Sequence, residues 1–115
     1  MLFSPLCSGS SGNASYLEAG GVRLLVDAGV TAKRLREMMA LIDISPEGLD
    51  AILITHEHSD HVSGIGVLSR KYDIPIYAAA ECWENMPKSV GEIATKNIRV
   101  FEPDRDFYLK QLCVH

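Results

Sequence analysis

The sequence predicts a mixed α/β (α+β) fold, in which a mixed β-sheet carries helices on one outer face. The N-terminal segments contain a Gly20-Gly21 pair between two apolar runs, which is typical of a tight β-hairpin. The later segments alternate between strand and helix patterns, which favours layers of helix packed on sheet. The predicted order of elements is β-β-β-α-β-α-β-α-β-β, with the antiparallel hairpin coming first.

Hydrophobic periodicity and turn residues define the N-terminal elements. The apolar residues of the first helix recur with the i, i+3, i+4, i+7 spacing of one helical face, and Thr31 stands where an N-cap is expected. A proline in the first-turn position then marks a short capped turn. The predicted elements are a strand at 1–6, strands at 14–19 and 22–26, a helix at 31–42 and the capped turn at 45–48.

The C-terminal elements follow from the same patterns. The run Ala51–Ile54 is continuously apolar and rich in isoleucine, which predicts a strand buried on both faces. Val62, Ile65 and Leu68 keep helical spacing up to residue 72. Further elements are predicted as a strand at 74–78, a helix at 79–85, a strand at 98–101 and one strand at 107–114.

Composition indicates one folded domain spanning residues 1–115. Hydrophobic residues make up 47% of the 115 residues and charged ones 23%, which is enough apolar surface to offset the entropy of ordering the chain. The 15 acidic and 11 basic residues give a net charge of −4, which argues against a surface that coats nucleic acid.

The expected location is the cytoplasm, with no membrane partner. No apolar run approaches the roughly 20 residues that a bilayer-spanning helix needs. Residues 1–5 contain neither a basic group nor a long apolar stretch, so no secretory signal is expected. Cys7, Cys82 and Cys113 are far apart and odd in number, which is typical of thiols in a reducing compartment.

A cluster of metal-binding side chains is the strongest chemical signal in the sequence. Three of the four histidines lie within residues 56–61, next to Asp60, at the end of a predicted buried strand. His56 and His58 are two positions apart in an extended segment, so both side chains leave the same face and can share one metal ion. Asp60 and His61 can bind at a second metal position nearby. Imidazole and carboxylate ligands suit zinc, with manganese and iron as alternatives.

The sequence T-H-E-H-S-D-H at 55–61 resembles the H-x-H-x-D-H signature of the metallo-β-lactamase superfamily. The segment Leu24–Gly29 resembles that family's strand-terminal aspartate motif. The opening C-S-G-S-S-G-N at 7–13 resembles the WalJ-like branch, which is regarded as DNA exonuclease-like hydrolases linked to cell-wall regulation. The resemblance covers essentially the whole chain, and it implies the first half of an αββα sandwich.

The resemblance also implies a role for each matching residue. His56 and His58 match the ligands of the first of two metal ions, and Asp60 and His61 match those of the second. Asp60 in such sites is also placed to steer the nucleophilic water. Asp27 matches the aspartate that orients the histidine loop by hydrogen bonding. The alternative for Asp27 is a strand-end aspartate that only caps a turn.

The family pattern also includes donors that this sequence does not match in context. Superfamily members supply a third histidine, a bridging aspartate and a last histidine from later motifs. His115 is the only histidine after His61, and it is open whether it serves as the third. We therefore expect the chain to be the N-terminal half of a longer enzyme.

These features predict a metal-dependent hydrolase, most concretely one that cleaves phosphodiester bonds in nucleic acid. Two ions about 3.5–4 Å apart would stabilise both sides of such a displacement. The Ser/Gly loop at 8–13 either presents backbone N–H groups to a phosphate or is a flexible connection. The alternatives are hydrolysis of a thioester, lactone or lactam, a redox di-iron role, and an inactive metal-binding remnant that dimerises, so a homo-oligomer stays open.

Overall fold

The computed structural model describes residues 2–7, 12–55, 62, 64–102, 107–109 and 112–114. Among these residues, six strands form one sheet in sequential order, and two further strands pair with each other. The strands are β1 (Leu2–Cys7), β2 (Ala14–Ala19), β3 (Val22–Ala28), β4 (Ala51–Leu53), β5 (Ile76–Ala79), β6 (Ile98–Phe101), β7 (Phe107–Leu109) and β8 (Leu112–Val114). The helices are α1 (Ala32–Ala40), α2 (Ile65–Tyr72) and α3 (Ala80–Glu84), with 3-10 turns at Pro46–Gly48, Lys88–Val90 and Thr95–Asn97.

The six-stranded sheet is mixed, as predicted. β1, β2 and β3 pair antiparallel, whereas β3, β4, β5 and β6 run parallel. Gly20 and Gly21 connect β2 to β3 with φ values of 57° and 78°, the left-handed conformations that a two-residue hairpin requires. The four parallel strands end at the same side of the sheet, which we term the carboxyl edge. Sites in parallel sheets form at such edges.

One face of the sheet carries the three helices found among the described residues. Leu25 of β3 and Ile52 of β4 are fully buried against this layer. The helices contribute their own buried side chains to the same cluster, which confirms that the helices lie on one face. These side chains are Ala32, Leu35 and Met39 of α1, Ile65 and Leu68 of α2, and Cys82 of α3.

The opposite face of the sheet is also apolar. Leu24 lies next to Leu25 in β3 but belongs to a separate cluster, because successive strand residues point to opposite faces. Ala51 joins Leu24 in this second cluster, while its neighbour Ile52 belongs to the first. The prediction that this strand is buried on both faces is therefore confirmed.

Capping residues fix the limits of α1. Thr31 has an extended backbone, and its hydroxyl oxygen accepts a hydrogen bond from the backbone N–H of Arg34 at 3.3 Å, as expected of an N-cap. At the other end, Ile44 donates from its N–H to the carbonyl of Met39, and Asp43 takes a positive φ of 59°. This C-terminal closure ends the helix two residues before the predicted boundary.

The predicted single strand at 107–114 is wrong. The structure has two short strands, β7 and β8, which pair antiparallel with Leu109 opposite Leu112. The sequence between them is Lys110-Gln111, which contains none of the residues that mark turns. Alternating apolar residues fit one long strand as well as a hairpin, so the pattern alone could not locate the reversal.

The helices of the described residues are short. The longest, α1, has nine residues, whereas a membrane-spanning helix needs about 20. None of these helices combines the length and the apolar character that a membrane crossing requires.

Candidate metal centre

The predicted ligands His56, His58, Asp60 and His61 lie outside the described residues, as does His115. Within the described ranges, no group of three or more histidine, cysteine or carboxylate side chains is positioned to hold a metal ion. We define the histidine segment as residues 56–63. Within it the structure describes Val62, which is fully buried in the core, and the surroundings are described by the residues on either side and by the neighbouring strands.

Asp27 holds the residue that precedes the histidine segment. Its Oδ1 accepts a hydrogen bond from the backbone N–H of Thr55 at 2.8 Å, and its Oδ2 accepts one from the Thr55 hydroxyl at 2.6 Å. Asp27 is 6% exposed, whereas Thr55 is exposed, so the carboxylate is partly shielded from water on its own side of these bonds. The chain position immediately before His56 is thereby fixed to the end of β3.

A β-bulge directs the Asp27 side chain. In the pairing of β2 with β3, Ala14 lies opposite Ala28 and Ser15 lies opposite Val26, so Asp27 is the extra residue. Its φ of 62° is left-handed, a conformation that aspartate tolerates better than most residues. Bulges commonly re-aim a side chain at the end of a strand. Here the carboxylate reaches Thr55, two residues after the end of β4.

The other end of the histidine segment is held by the next residue of the same strand. The backbone N–H of Gly64 donates a hydrogen bond of 2.7 Å to the carbonyl oxygen of Ala28. Thr55 and Gly64, which flank the eight residues of the segment, are therefore bonded to two consecutive residues, Asp27 and Ala28. The two ends of the segment meet at one point of the carboxyl edge.

The Ser/Gly loop also ends at this point. The backbone N–H of Gly29 donates to the carbonyl oxygen of Asn13 at 2.8 Å. A Cβ atom at Gly12 would lie 2.5 Å from Cγ1 of Val30, so the loop end packs closely on the residues that follow β3. The predicted loop residues 8–11 lie outside the described residues.

Sequence reasoning selected Asp27 but missed Thr55 and Gly64. The role predicted for Asp27 was to orient the histidine loop, and its described bonds reach Thr55, one residue before that loop. Thr55 donates from its backbone N–H and its hydroxyl, and Gly64 donates from its backbone N–H in a close approach. Neither kind of contact leaves a periodic pattern in a sequence. The only available signals were the position of Thr55 directly before His56 and an isolated glycine three residues after His61.

The family model described as "Metallo-beta-lactamase superfamily" matches residues 8–111, and the chain belongs to this superfamily. Membership implies the binding of divalent metal ions. The donor chemistry of residues 56–61, three imidazoles and a carboxylate, fits such ions.

Two relatives match most of the chain. It is 49% identical over 102 residues to "Exodeoxyribonuclease WalJ" of Streptococcus pneumoniae serotype 2 (strain D39), covering 87% of this chain and 38% of the relative. It is 42% identical over 99 residues to "Exodeoxyribonuclease YycJ" of Bacillus anthracis, covering 86% of this chain and 38% of the relative. The chain thus spans less than two fifths of the length of either protein.

Solved structures show the same fold. The "Rm3 metallo-beta-lactamase" superposes with a TM-score of 0.73 at 17% sequence identity, covering 91% of this chain and 45% of that one. At this level of identity the similarity concerns the fold alone. It confirms the predicted class, a mixed sheet with helices on one face.

Proposed function

We propose that the chain is part of a metal-dependent hydrolase that cleaves phosphodiester bonds at the ends of DNA. The observation that carries this proposal is the bonding of both Asp27 oxygens to Thr55, directly before the T-H-E-H-S-D-H sequence. This arrangement fixes Thr55, the residue before the segment that is proposed to bind metal, and the names of the two relatives supply the substrate class. A DNA substrate in turn favours the cytoplasm as the location.

His56, His58, Asp60 and His61 are the residues proposed to hold the metal. His56 and His58 would bind one ion, while Asp60 and His61 would contribute to a second, with zinc as the proposed metal. When bound, divalent ions stabilise charge on a phosphoryl oxygen and lower the pKa of water towards neutrality. Asp60 would orient the attacking water, and Asp27 would keep the segment in place by holding Thr55.

Donors that complete such a site are proposed to lie in sequence that this chain does not cover. The chain spans 38% of each of the two relatives. A third histidine, a bridging aspartate and a last histidine have no candidates in matching context between residues 62 and 114. We therefore propose that residues 1–115 form the N-terminal half of a larger metallo-β-lactamase domain.

The Ser/Gly loop is proposed to contact a phosphate group of the substrate. The support is its position, since Asn13 is bonded to Gly29 and Gly12 packs on Val30, beside the anchor of the histidine segment. Successive backbone N–H groups in small-residue loops form concave anion sites without a charged side chain. A scissile phosphate near the metal ions would therefore be within reach of this loop.

Positive charge at the start of α1 further supports a nucleic-acid substrate. Lys33 and Arg34 are exposed in the first turn, and that turn contains no acidic residue. Cations at a helix N-terminus oppose the helix dipole, so stability alone does not favour them there. This turn begins directly after Val30, which places two cations beside the carboxyl edge. They are proposed to contact the DNA backbone.

The experiment combines metal analysis with a chimaeric enzyme. We expect the purified chain to retain zinc, measured by inductively coupled plasma mass spectrometry. Residues 1–115 would also replace the matching segment of the Streptococcus pneumoniae relative, and the chimaera would be tested on end-labelled linear DNA. The matched control carries His58→Ala within the transplanted segment. Digestion from the ends that is abolished by His58→Ala supports the proposal.

Other substrates distinguish the alternative reactions. The chimaera would be offered bis(p-nitrophenyl) phosphate, a thioester and a chromogenic β-lactam under the same conditions. Turnover of the phosphodiester alone agrees with the proposal. Turnover of the thioester or the lactam, with intact DNA, would overturn it. If the purified chain holds no metal and the chimaera has no activity, the chain would instead be an inactive remnant of such an enzyme.

A further inference from the structure

We propose that Gly64 is a positioning residue for the metal centre, because its missing side chain lets the end of the histidine segment dock on the residues after β3. This inference rests on the proposed function, in which residues 56–61 hold the metal. Gly64 itself offers no ligand. Its role is to fix where the segment ends, as Asp27 and Thr55 fix where it begins.

The backbone conformation does not explain why residue 64 is a glycine. Gly64 has φ −96° and ψ −4°, values that other residues also adopt. The space around it does explain the choice. A Cβ atom at this position would lie 2.5 Å from the carbonyl oxygen of Val30 and 2.8 Å from Cδ1 of Leu35. The first of these neighbours is backbone, so a side chain could enter only if the connection between β3 and α1 moved.

The close approach produces a specific bond. With no Cβ in the way, the Gly64 N–H reaches the Ala28 carbonyl oxygen at 2.7 Å. Ala28 directly follows Asp27, whose carboxylate holds Thr55. The residues on either side of the segment, Thr55 and Gly64, are thus tied to adjacent residues of one strand, so the entropy cost of bringing them together does not fall on metal binding. Such preorganisation increases affinity.

Gly66 provides a matched control on the same helix. It lies in the first turn of α2, and a Cβ atom there would collide with the carbonyl oxygen of Val90 and lie 2.9 Å from Nη1 of Arg70. Its close contact therefore faces the 3-10 turn at Lys88–Val90 rather than the residues after β3. Gly64→Ala and Gly66→Ala both push a methyl group against a backbone carbonyl, but only the first does so at the metal centre.

The first measurement compares zinc affinity with stability. Zinc dissociation constants of the wild type, Gly64→Ala and Gly66→Ala would be determined by competition with a chromophoric chelator, and stability by urea unfolding without metal. We expect both variants to be less stable, but only Gly64→Ala to bind zinc about 10–100-fold more weakly, as for other residues that support ligands. Equal zinc affinity in the two variants would overturn the proposal.

The second measurement needs neither metal nor a stable variant. In the metal-free wild type, hydrogen exchange followed by NMR should show the Gly64 amide protected to a similar degree as the Thr55 amide. Rapid exchange at Gly64 beside a protected Thr55 would overturn the proposal. Where the variants fold, Gly64→Ala should speed exchange within residues 56–63, and Gly66→Ala should not.

These measurements also separate this inference from the proposed function. A wild-type chain that retains no zinc would count against the metal site. The role of Gly64 in fixing the segment would then be decided by amide exchange alone. Faster exchange confined to Gly64→Ala would support it, and the same exchange in both variants would contradict it.

Discussion

Both carboxylate oxygens of Asp27 bond to Thr55, a residue 28 positions later in the chain. The bond from the threonine hydroxyl, at 2.6 Å, has the short length typical of a donor facing a charged acceptor. Two parallel strands end side by side here, and the bulge at Asp27 turns its carboxylate across the gap between them. One residue thereby couples the geometry of β3 to the start of the histidine segment.

Replacing Asp27 by asparagine should weaken metal binding. The amide oxygen can still accept from the Thr55 N–H, but the amide nitrogen would face the Thr55 hydroxyl and the charge would be lost. We expect a loss of about 1–3 kcal/mol in the free energy of unfolding. We also expect zinc affinity to fall about 10–100-fold, measured by chelator competition.

Asp50→Asn is the control for this experiment. Asp50 also accepts a bond from a backbone N–H, that of Arg23 at 2.8 Å, but at the opposite edge of the sheet. This variant should lose stability and keep its zinc affinity. If Asp27→Asn bound zinc as tightly as Asp50→Asn, the supporting role of Asp27 would be refuted.

Replacing His58 by alanine should remove metal while leaving the fold largely intact. β4 ends at Leu53, five residues before His58, so the substitution lies outside the strand. Zinc content by mass spectrometry should fall strongly, and the far-ultraviolet circular dichroism should be unchanged. Glu57→Ala, which alters a neighbour not proposed as a ligand, should keep its zinc. Equal zinc content in the two variants would contradict the ligand assignment.

Most of the fold could be predicted because its signals are local. The Gly20-Gly21 turn, the apolar stripe of α1 and the buried strand at Ala51–Ile54 each depend on neighbouring residues. The reversal between β7 and β8 could not be predicted, since Lys110-Gln111 carries no turn signal. The helix ends differed by one or two residues because capping bonds, rather than periodicity, set them.

The sequence predicts the chemistry of the candidate site but not the hydrogen bonds at the two ends of the histidine segment. Clustered histidines and a strand-end aspartate are visible in the sequence as residue types at suggestive spacings. The bonds on either side of the histidine segment join Asp27 to Thr55 and Ala28 to Gly64, residues that are distant in sequence and adjacent only after parallel pairing of β3 with β4. Such tertiary hydrogen bonds have no sequence period to detect.

Asp73, the residue after α2, should make the free energy of unfolding fall at acidic pH. Hydrogen bonds from the Asn97 amide and the Lys96 ammonium, each 2.9 Å long, lower the pKa of Asp73 below its ordinary value. A lowered pKa in the folded state means that the stabilisation is present above the ordinary pKa, near 4, and is lost as the pH falls. Asp73 is exposed, so salt should reduce the effect.

Asp73→Asn tests this effect without straining the backbone. Asp73 has a φ of 56°, which asparagine also tolerates. Urea unfolding should show the variant less stable than the wild type at pH 7, with a difference that shrinks below about pH 4. Asp43→Asn is the control, because Asp43 has a similar φ of 59° and makes no ion pair within the described part of the chain. A pH-independent difference for Asp73→Asn would contradict the assignment.

A buried tyrosine should make stability sensitive to alkali. Burial raises the pKa of Tyr16 above 10, although a hydrogen bond from Arg23 Nε opposes this shift and one to Glu18 adds to it. The neutral phenol is therefore favoured in the folded state, so the stabilisation holds below about pH 10 and is lost as the pH rises through the folded-state pKa.

Tyr16→Phe should remove that alkaline loss. At pH 7 the variant removes the phenol acceptor of Arg23 Nε. Because the Arg23 side chain is partly exposed and its Nε also lies 3.6 Å from Glu18 Oε1, this loss should cost about 1 kcal/mol in the free energy of unfolding. Above pH 10 the difference from the wild type should become smaller, as followed by urea unfolding. Tyr72→Phe, in a half-exposed side chain of α2, should leave the alkaline loss in place. A Tyr16→Phe protein with the wild-type pH profile would contradict this account.

The cations at the start of α1 should contribute to DNA binding. Each contact between a basic side chain and a phosphate releases counterions, so its loss weakens binding and reduces the salt dependence by about one unit of slope. Lys33→Ala combined with Arg34→Ala should therefore lower affinity for DNA of any sequence, measured by fluorescence anisotropy at several salt concentrations.

The control for the Lys33 and Arg34 double variant uses two lysines at the opposite edge of the sheet. Lys71 is in the last turn of α2, and Lys96 contacts Asp73 just beyond that turn. Replacing both by alanine removes the same net charge as the Lys33 and Arg34 pair, so a general electrostatic effect would appear equally in both double variants. If DNA contacts the carboxyl edge, only the Lys33 and Arg34 double variant should lose affinity and show a smaller salt slope, because counterions are released only where side chains meet phosphates.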